Sequence, residues 1–488
     1  MARGWGDVNV VVLSTHPRWI THYGTELEII QRHLDDNDTV VHLHCDAVQS
    51  ACDYNPEHSA SKCRKCIRVC REGLALLSAA VPTLSFLDLS PADREEMARI
   101  PKTFSTEADL RGFRIDNFDI GWAVLSSVIS SIRDPKPDLS RYADLIHRFM
   151  YAALTVYRSV QHYLDRHGVD RVYVFNGRLA SCRAVLRACQ SRNVTCLIHE
   201  RGCDLQHYEL YRDTMPVDIA YVESEIAAYW DKAAADPKRD ETGIRFFTER
   251  ARGQVQNWYS FVTSQREGLL PEDWDPGKTN LVIFNSSEDE FAAIGDEWRN
   301  PLYPTQRDGL RRIIGSLGGW KENFHVYLRI HPNLRTVDNE DTRGVLRLSA
   351  PFLTVIPPDS PVSTYALIAQ ADRVLSFGST VGIEAVYWGT PSILAGLSLY
   401  RDLGGTYNPG SHDELMTLLK TELSPKDKTA ALMFGYYYAS FGIRYKYYRA
   451  TSVTQGTFRE QVLPRSSLFG ELARRAKRVG RYFGGARK

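Results

Sequence analysis

The sequence predicts an α/β protein made of two doubly wound, parallel-sheet domains. Three observations predict it. Short continuous runs of β-branched residues, VNVVVLS at 8–14 and NLVIFN at 280–285, read as strands buried on both faces. Each run is followed by a polar loop and then by a helix with one apolar face, the order of a β–loop–α–β unit. Between the two series lies Leu270–Thr279 (LPEDWDPGKT), whose Pro, Asp and Gly mark a boundary.

Composition sets limits on what such a chain does. Its 488 residues are enough for two or three domains, and 43% hydrophobic with 24% charged residues is the balance of a folded globular protein. A formal net charge of +1 gives no bulk attraction to nucleic acid, and no nucleic-acid partner is expected. Trp5-Gly6-Asp7 interrupts any signal-like start, and no apolar stretch reaches bilayer length, so a cytoplasmic protein is expected. Nine cysteines in that setting point to thiols or metal ligands and not to a disulfide framework.

In the N-terminal domain, placed at 1–270, the strand Val8–Ser14 leads to a loop, Thr15–Gly24, and a helix starting near Thr25. Glu26 then sits in a first helical turn at the sheet edge where ligands bind, a candidate catalytic base. A second strand, Val40–His44, runs into the Cys-rich insertion, 45–70. Its pattern is C-x6-C-x10-C-x2-C-x3-C. A C-x2-C pair brings two thiolates toward one ion, so Cys45, Cys52, Cys63 and Cys66 are the expected metal ligands with Cys70 to spare. Structural zinc is the first expectation and an iron–sulfur cluster the second. Residues 71–150 read as helical, as does Tyr142–His167. The strands Val169–Phe175 and Thr195–His199 deliver Asn176, Arg178, Glu200 and Arg201 to one sheet edge. Arg178 or Arg201 suits an acidic acceptor or a leaving phosphate, and Glu200 competes with Glu26 as base. Residues 203–270 read as a helical connection.

The C-terminal domain, placed at 271–440, offers three loops on one side. Ser286–Glu290 follows the first strand. Phe324–Ile330 ends at His331-Pro332-Asn333, where Pro332 stops the strand. Ala371–Phe377 ends at Gly378, and Ser379, Thr380 and Gly382 open a helix carrying Glu384. A helix start rich in hydroxyls and small residues suits a phosphate, and Glu384 is placed to bind a ribose diol. Ser286, Arg329, His331, Asn333, Ser379, Thr380, Gly382 and Glu384 are therefore the candidate donor-binding residues.

Arg329-Ile330-His331-Pro332-Asn333, Ser376–Gly382 with Glu384-Ala385, and Gly389-Thr390-Pro391 resemble the donor half of a GT-B glycosyltransferase. The likeness is to bacterial capsule polysaccharide biosynthesis proteins and Kdo-transferase-like enzymes. His22-Tyr23-Gly24-Thr25-Glu26, Phe175-Asn176-Gly177-Arg178 and Glu200-Arg201-Gly202 are similar to that group as well. The resemblance implies two Rossmann-like domains facing a cleft and metal-independent transfer from a nucleotide-sugar donor to a glycan or glycolipid acceptor of surface polysaccharide. It assigns the donor phosphate to His331 and Ser379-Thr380, the ribose to Glu384, and the base role to Glu26. His331 and Arg178 join Glu26 and Glu200 as the candidate catalytic residues. A sugar-nucleotide epimerase and a CDP-polyol phosphotransferase of teichoic-acid type are the alternatives.

The last segments are read as a returning helical stretch, 441–464, and a basic amphipathic C-terminal helix, 465–488. In the latter Leu468, Leu472, Ala476, Val479 and Phe483 share one helical face, and Arg465, Arg474, Arg475, Lys477, Arg478, Arg481, Arg487 and Lys488 oppose only Glu471. Residues 466–488 are thus expected to lie on an anionic membrane surface, the inner face of the plasma membrane, the membrane of a lipid-linked acceptor.

Overall fold

The computed structural model describes residues 8–256, 259–320 and 322–464. Two sheets organise it. The first contains β1 (Asn9–Ser14), β2 (Thr39–His44), β3 (Thr83–Ser85), β4 (Arg171–Phe175), β5 (Thr195–Arg201) and β6 (His207–Arg212), in the order β6-β5-β4-β1-β2-β3. All neighbours are parallel except β5 and β6. The second contains β7 (Thr279–Phe284), β8 (Phe324–Arg329), β9 (Leu353–Ile356), β10 (Arg373–Ser376) and β11 (Ser392–Leu394), in the order β11-β10-β7-β8-β9, parallel throughout. The central strand β7 has five of its six residues buried, because helices cover both faces. Two Rossmann-like α/β domains are therefore present.

The domains share a core. One apolar cluster joins Val124, Val128 and Phe149 of the first domain to Ile294, Ile383, Val386 and Tyr400 of the second. Polar contacts reinforce it. Arg183, 3% exposed, donates to Asp119 and, at 2.6 Å, to the carbonyl of Ile294. Arg133, in the left-handed region at the end of the helix Ile120–Ile132, pairs with Asp289 across the same boundary.

Three expectations need correction. The first helix begins at Ile20, not near Thr25, because Pro17 and the turn at His16–Trp19 start it a turn earlier. Residues 203–270 include β6, an antiparallel strand, before the helices Ile219–Lys232 and Arg239–Ala251. The stretch 441–464 is strand, not helix. After the helix Thr429–Ser440, β12 (Ile443–Arg444) adds to β6, and β13 (Tyr448–Ser452), β14 (Gln455–Phe458) and β15 (Gln461–Leu463) form a small antiparallel sheet. That sheet packs on the first helix. Buried Glu28 accepts the backbone N–H groups of Lys446, Tyr447 and Tyr448 at 2.8, 2.7 and 2.9 Å, and Tyr448 lies over Gly24, where a Cβ would meet its ring at 2.3 Å. The basic segment 465–488 lies outside the described residues. No helix among the described residues is long and apolar enough to cross a membrane.

One helix pair sets up the site. Arg239–Ala251 crosses Thr429–Ser440 at two glycines, where a Cβ on Gly435 would meet the Gly243 carbonyl at 2.5 Å. The close crossing seats the helix that carries Arg250. Gly435→Ala must push the helices apart, and the expected cost is about 1–3 kcal/mol by denaturant unfolding.

Candidate functional site

The carboxyl edge of the second sheet collects its loops as the chain order requires. Past β7, Ser286 is buried; its Oγ donates to the Phe377 carbonyl at 3.1 Å and accepts from Gln306 Nε2 at 2.9 Å. It ties the β7 and β10 loops together. Past β8, the His331 backbone N–H donates to Asn285 Oδ1 at 2.7 Å, and its Nδ1 accepts the Asn333 N–H at 3.2 Å. Nε2 is therefore the protonated ring nitrogen. Burial pushes the imidazole pKa down to about 4, so His331 is a neutral donor at physiological pH. Asn333 Nδ2 donates to Glu290 at 2.6 Å.

Past β10, Gly378 takes a positive φ of 109°, and a Cβ there would meet the Leu397 carbonyl at 2.4 Å. The turn leads through Ser379 and exposed Thr380 into the helix Val381–Trp388. Gly382 faces the sheet and not the cleft, since a Cβ there would meet Tyr400 and Ser376 side chains at 2.3 and 2.6 Å. Glu384 is 2% exposed. Its carboxylate accepts from Tyr365 OH at 2.6 Å, Thr380 Oγ1 at 3.1 Å and Arg250 Nε at 3.2 Å. Arg250 also donates to Thr380 Oγ1 at 3.2 Å. Burial works against its charge, but the carboxylate beside it wins and raises its pKa. Arg329, by contrast, spends its Nη groups on the carbonyls of Pro357 and Ser360 at 2.7 and 3.1 Å, holding a turn.

Two cavities open here. One, of about 170 Å³, is lined by Phe261, Asn285, Arg329, Tyr365 and Glu384. The other, of about 300 Å³, is lined by Ser286, Glu290, Gly378, Tyr438 and Cys203. Arg250, Gln256, His331, Ser379 and Thr380 line both and form the wall between them. Cys203 follows β5, so the larger cavity reaches from one domain to the other.

At the first sheet, the β4 turn places Asn176 and Gly177 at φ of 64° and 70°. Arg178 crosses to the second domain and donates to the Glu290 carbonyl at 3.2 Å. Burial lowers its pKa, opposed by nearby carboxylates. Glu200 accepts from Asn176 at 3.3 Å, lies 3.6 Å from His22, and keeps a quarter of its side chain exposed. Glu26 differs. With the helix starting at Ile20 it falls in the second turn, 2% exposed, and not in a first turn at the sheet edge. Ser14 Oγ donates to it, His42 Nε2 lies 2.8 Å from that Oγ, and His199 Nε2 is 3.5 Å from the carboxylate. Of the two base candidates, Glu200 is the accessible one.

The buried histidines predict acid lability. Burial pushes His42 to about 3 and His331 to about 4, below the ordinary value of about 6.5. Unfolding lets both protonate, so stability is full above about pH 6.5 and falls as pH drops toward about 4. Thermal unfolding across that window should show the loss, with a shallower slope in His42→Gln.

Cys45, Cys52, Cys63, Cys66 and Cys70 all line a third, small cavity at the carboxyl ends of β1 and β2. Sequence reasoning missed Arg250, Tyr365, Gln256 and Phe261, whose ring meets the His331 edge at 5.6 Å between centroids. Arg250 lies in an arginine-rich helix where no local pattern singles it out.

No family model matches the chain, and no curated protein matches it. Solved structures do. Thermosulfurimonas dismutans KpsC, a beta Kdo 2,4 transferase, is 13% identical over 63% of this chain and 87% of that one, with a TM-score of 0.38. A Methanocaldococcus jannaschii UDP-GlcNAc 2-epimerase, in complex with UDP-GlcNAc and UDP, is 10% identical over 88% and 98%, at 0.25. CalG4, the calicheamicin glycosyltransferase, is 10% identical over 99% of both chains, at 0.26. Glycosyltransferases and epimerases thus both figure among the similar structures. Identities and scores this low leave the chemistry to be argued from this chain's own residues.

Proposed function

We propose that the protein is a glycosyltransferase that moves a sugar from a nucleotide-sugar donor to a lipid-linked surface-polysaccharide acceptor. The observation that carries this reading is the wall shared by the two cavities. A nucleotide sugar has its charge in the middle, between nucleoside and sugar. Here a neutral imidazole N–H, a guanidinium, two hydroxyls and a helix start stand between a cavity bearing Phe261, Tyr365 and Glu384 and a second, also rich in aromatic side chains, that reaches the other domain. The nucleoside takes the Phe261 and Tyr365 side, with Glu384 toward the ribose. The sugar and acceptor take the side of Cys203 and Glu290.

Transfer needs a base for the acceptor hydroxyl and groups that absorb charge on the departing phosphate. His331 Nε2–H and Arg250 suit the second task without a catalytic metal. The nearby carboxylates are engaged otherwise: Asp289 by Arg133, Glu384 by Arg250 and Tyr365, and Glu290 by Asn333. Glu200 is the proposed base, with Glu26 in reserve, and Arg178 steadies the domain boundary beside it.

A thermal-shift panel of UDP-, GDP-, CMP- and dTDP-sugars tests the reading. One nucleotide class should raise Tm, and donor turnover should require an added glycan acceptor. No shift from any donor would refute the reading, and turnover of donor alone would favour epimerisation. We place the basic segment 466–488 on the inner face of the plasma membrane, beside the lipid-linked acceptor. Deleting it should move the protein from the membrane pellet to the supernatant on fractionation.

A further inference from the structure

The helix Ala60–Leu74 turns opposite faces to opposite surroundings. Val69, Cys70 and Gly73 are its buried residues, while Ser61, Arg64, Lys65, Arg68 and Arg71 are exposed. Arg64, Arg68 and Arg71 stand at i, i+4 and i+7, one stripe of the helix. Five of its side chains are cationic, and Glu72 is its one anion. Arg68 pairs with Glu72 at 3.6 Å and Lys62 with Glu57 at 2.9 Å, which leaves Arg64, Lys65 and Arg71 without an acidic partner among the described residues.

The chain that follows carries no charge. Residues 75–87 (ALLSAAVPTLSFL) hold no ionisable side chain, yet most of them are exposed, Leu84 by 48% and Leu87 by 43%. β3 lies here, an edge strand of three exposed residues. Between it and the helix runs a groove of about 540 Å³, lined by Ile67, Leu74, Leu77, Ala80 and Val81 together with exposed Arg71. His44, the last residue of β2, also lines it, so the groove lies at the carboxyl end of that strand. An uncharged, largely apolar run of this length left in water marks a surface that something covers.

Charge decides what covers it. Two copies of this chain meeting on the face would set one arginine stripe against another, since a twofold contact uses the same patch twice. Nucleic acid offers phosphates but no apolar partner for Leu84 and Leu87, and Phe86, the one aromatic side chain in 60–87, is buried and gives bases no ring to stack on. An anionic bilayer matches both parts, with phosphates for the cations and an acyl boundary for the leucines. The described chain also ends here. Leu463 shares an apolar cluster with Val69 and Leu76, and Arg459 donates to the Leu76 carbonyl at 3.3 Å, so the basic segment 465–488 starts beside this face. We propose that the outer face of the helix Ala60–Leu74, with the exposed run 75–87, docks on an anionic lipid bilayer. Arg64, Lys65 and Arg71 lie on the phosphates, and Leu84 and Leu87 enter the acyl boundary. Stable anchoring by such weak contacts takes two signals, so this face and the C-terminal segment hold the membrane together and the loss of either releases the protein. The inference rests on the membrane placement proposed above for its second signal, and on none of the transfer chemistry.

Flotation of the full-length protein with vesicles tests it. The unmodified chain should bind vesicles of phosphatidylethanolamine and phosphatidylglycerol in equal parts, and bind phosphatidylcholine vesicles far more weakly. The triple change Arg64→Gln, Lys65→Gln and Arg71→Gln should weaken binding to the mixed vesicles about 100-fold, the worth of three cations at a lipid surface. Leu84→Ser with Leu87→Ser should weaken it about 10-fold. All five positions are exposed, and an unchanged Tm would show that both variants fold. Undiminished binding in the triple variant, equal binding to the two kinds of vesicle, or no binding by the unmodified chain would overturn the proposal. So would a dimer that Leu84→Ser with Leu87→Ser dissolves, without binding to vesicles. The measurement needs neither donor nor acceptor, so it fails or succeeds apart from the glycosyl-transfer reading.

Discussion

Replacing His331 by alanine should lower kcat on the order of 100- to 1000-fold, the loss expected when one preorganised donor to developing charge is removed. The tautomer of the ring sets the size of this effect. The Asn333 backbone N–H occupies Nδ1, so the ring offers one hydrogen, on Nε2, at the wall between the cavities. Because burial holds the ring neutral, this donation needs no protonation from solvent and should persist across the neutral range. Donor affinity should change much less than turnover, since charge on the phosphate grows as the glycosidic bond breaks. His331→Gln should recover part of the rate by returning an N–H near the same place. A loss confined to KM would mean that His331 only helps hold the ground state.

Removing Arg250 should have the second-largest effect, felt in both stability and binding. Glu384 is 2% exposed, and Arg250→Ala leaves its carboxylate with only the hydroxyls of Tyr365 and Thr380. Breaking a fully buried pair costs about 3–5 kcal/mol. Arg250 keeps about a third of its side chain exposed, so solvent screening reduces the expected loss to about 2 kcal/mol. Donor affinity should fall by about 10- to 100-fold, the worth of a charge-assisted hydrogen bond or two. The paired change Arg250→Met with Glu384→Gln separates the effects. It should restore most of the stability, having removed both charges, and none of the affinity. Recovery of both would make the pair a purely structural bridge.

Much of this architecture is legible in the residues because parallel strands buried on both faces read as unbroken β-branched runs. β1, β2, β4 and β7 announce themselves in that way; the loops after β8 and β10 place His331 and Thr380 at the sheet edge, and Glu200 lies near the end of β5. The antiparallel strands do not. β6 (HYELYR) mixes buried and half-buried residues without a strict period, β13 (YRATS) is only five residues long, and both carry tyrosines that fit helix and strand alike. Their identity is settled by pairing with distant partners, as when β12 joins β6. Glu26 shows a smaller version of the same limit. A shift of helix start from Thr25 to Ile20 moves a carboxylate from an open first turn to a buried contact with Ser14. Arg250 shows the extreme case, since its hydrogen bond to Glu384 spans 134 residues of sequence. The cysteine pattern is plain in the sequence, but that its five sulfurs meet at one small cavity is settled only by the fold.

Transfer by these residues requires a phosphate-sized group seated between the two cavities. A crystal structure of the protein with the nucleoside diphosphate that stabilises it best is the most direct test. The account predicts phosphate oxygens within hydrogen-bond distance of His331 Nε2 and the Ser379–Thr380 turn, with the nucleoside toward Phe261 and Tyr365. A nucleotide bound elsewhere, such as the outer cavity beside Lys136 and Arg299, with His331 untouched, would contradict it.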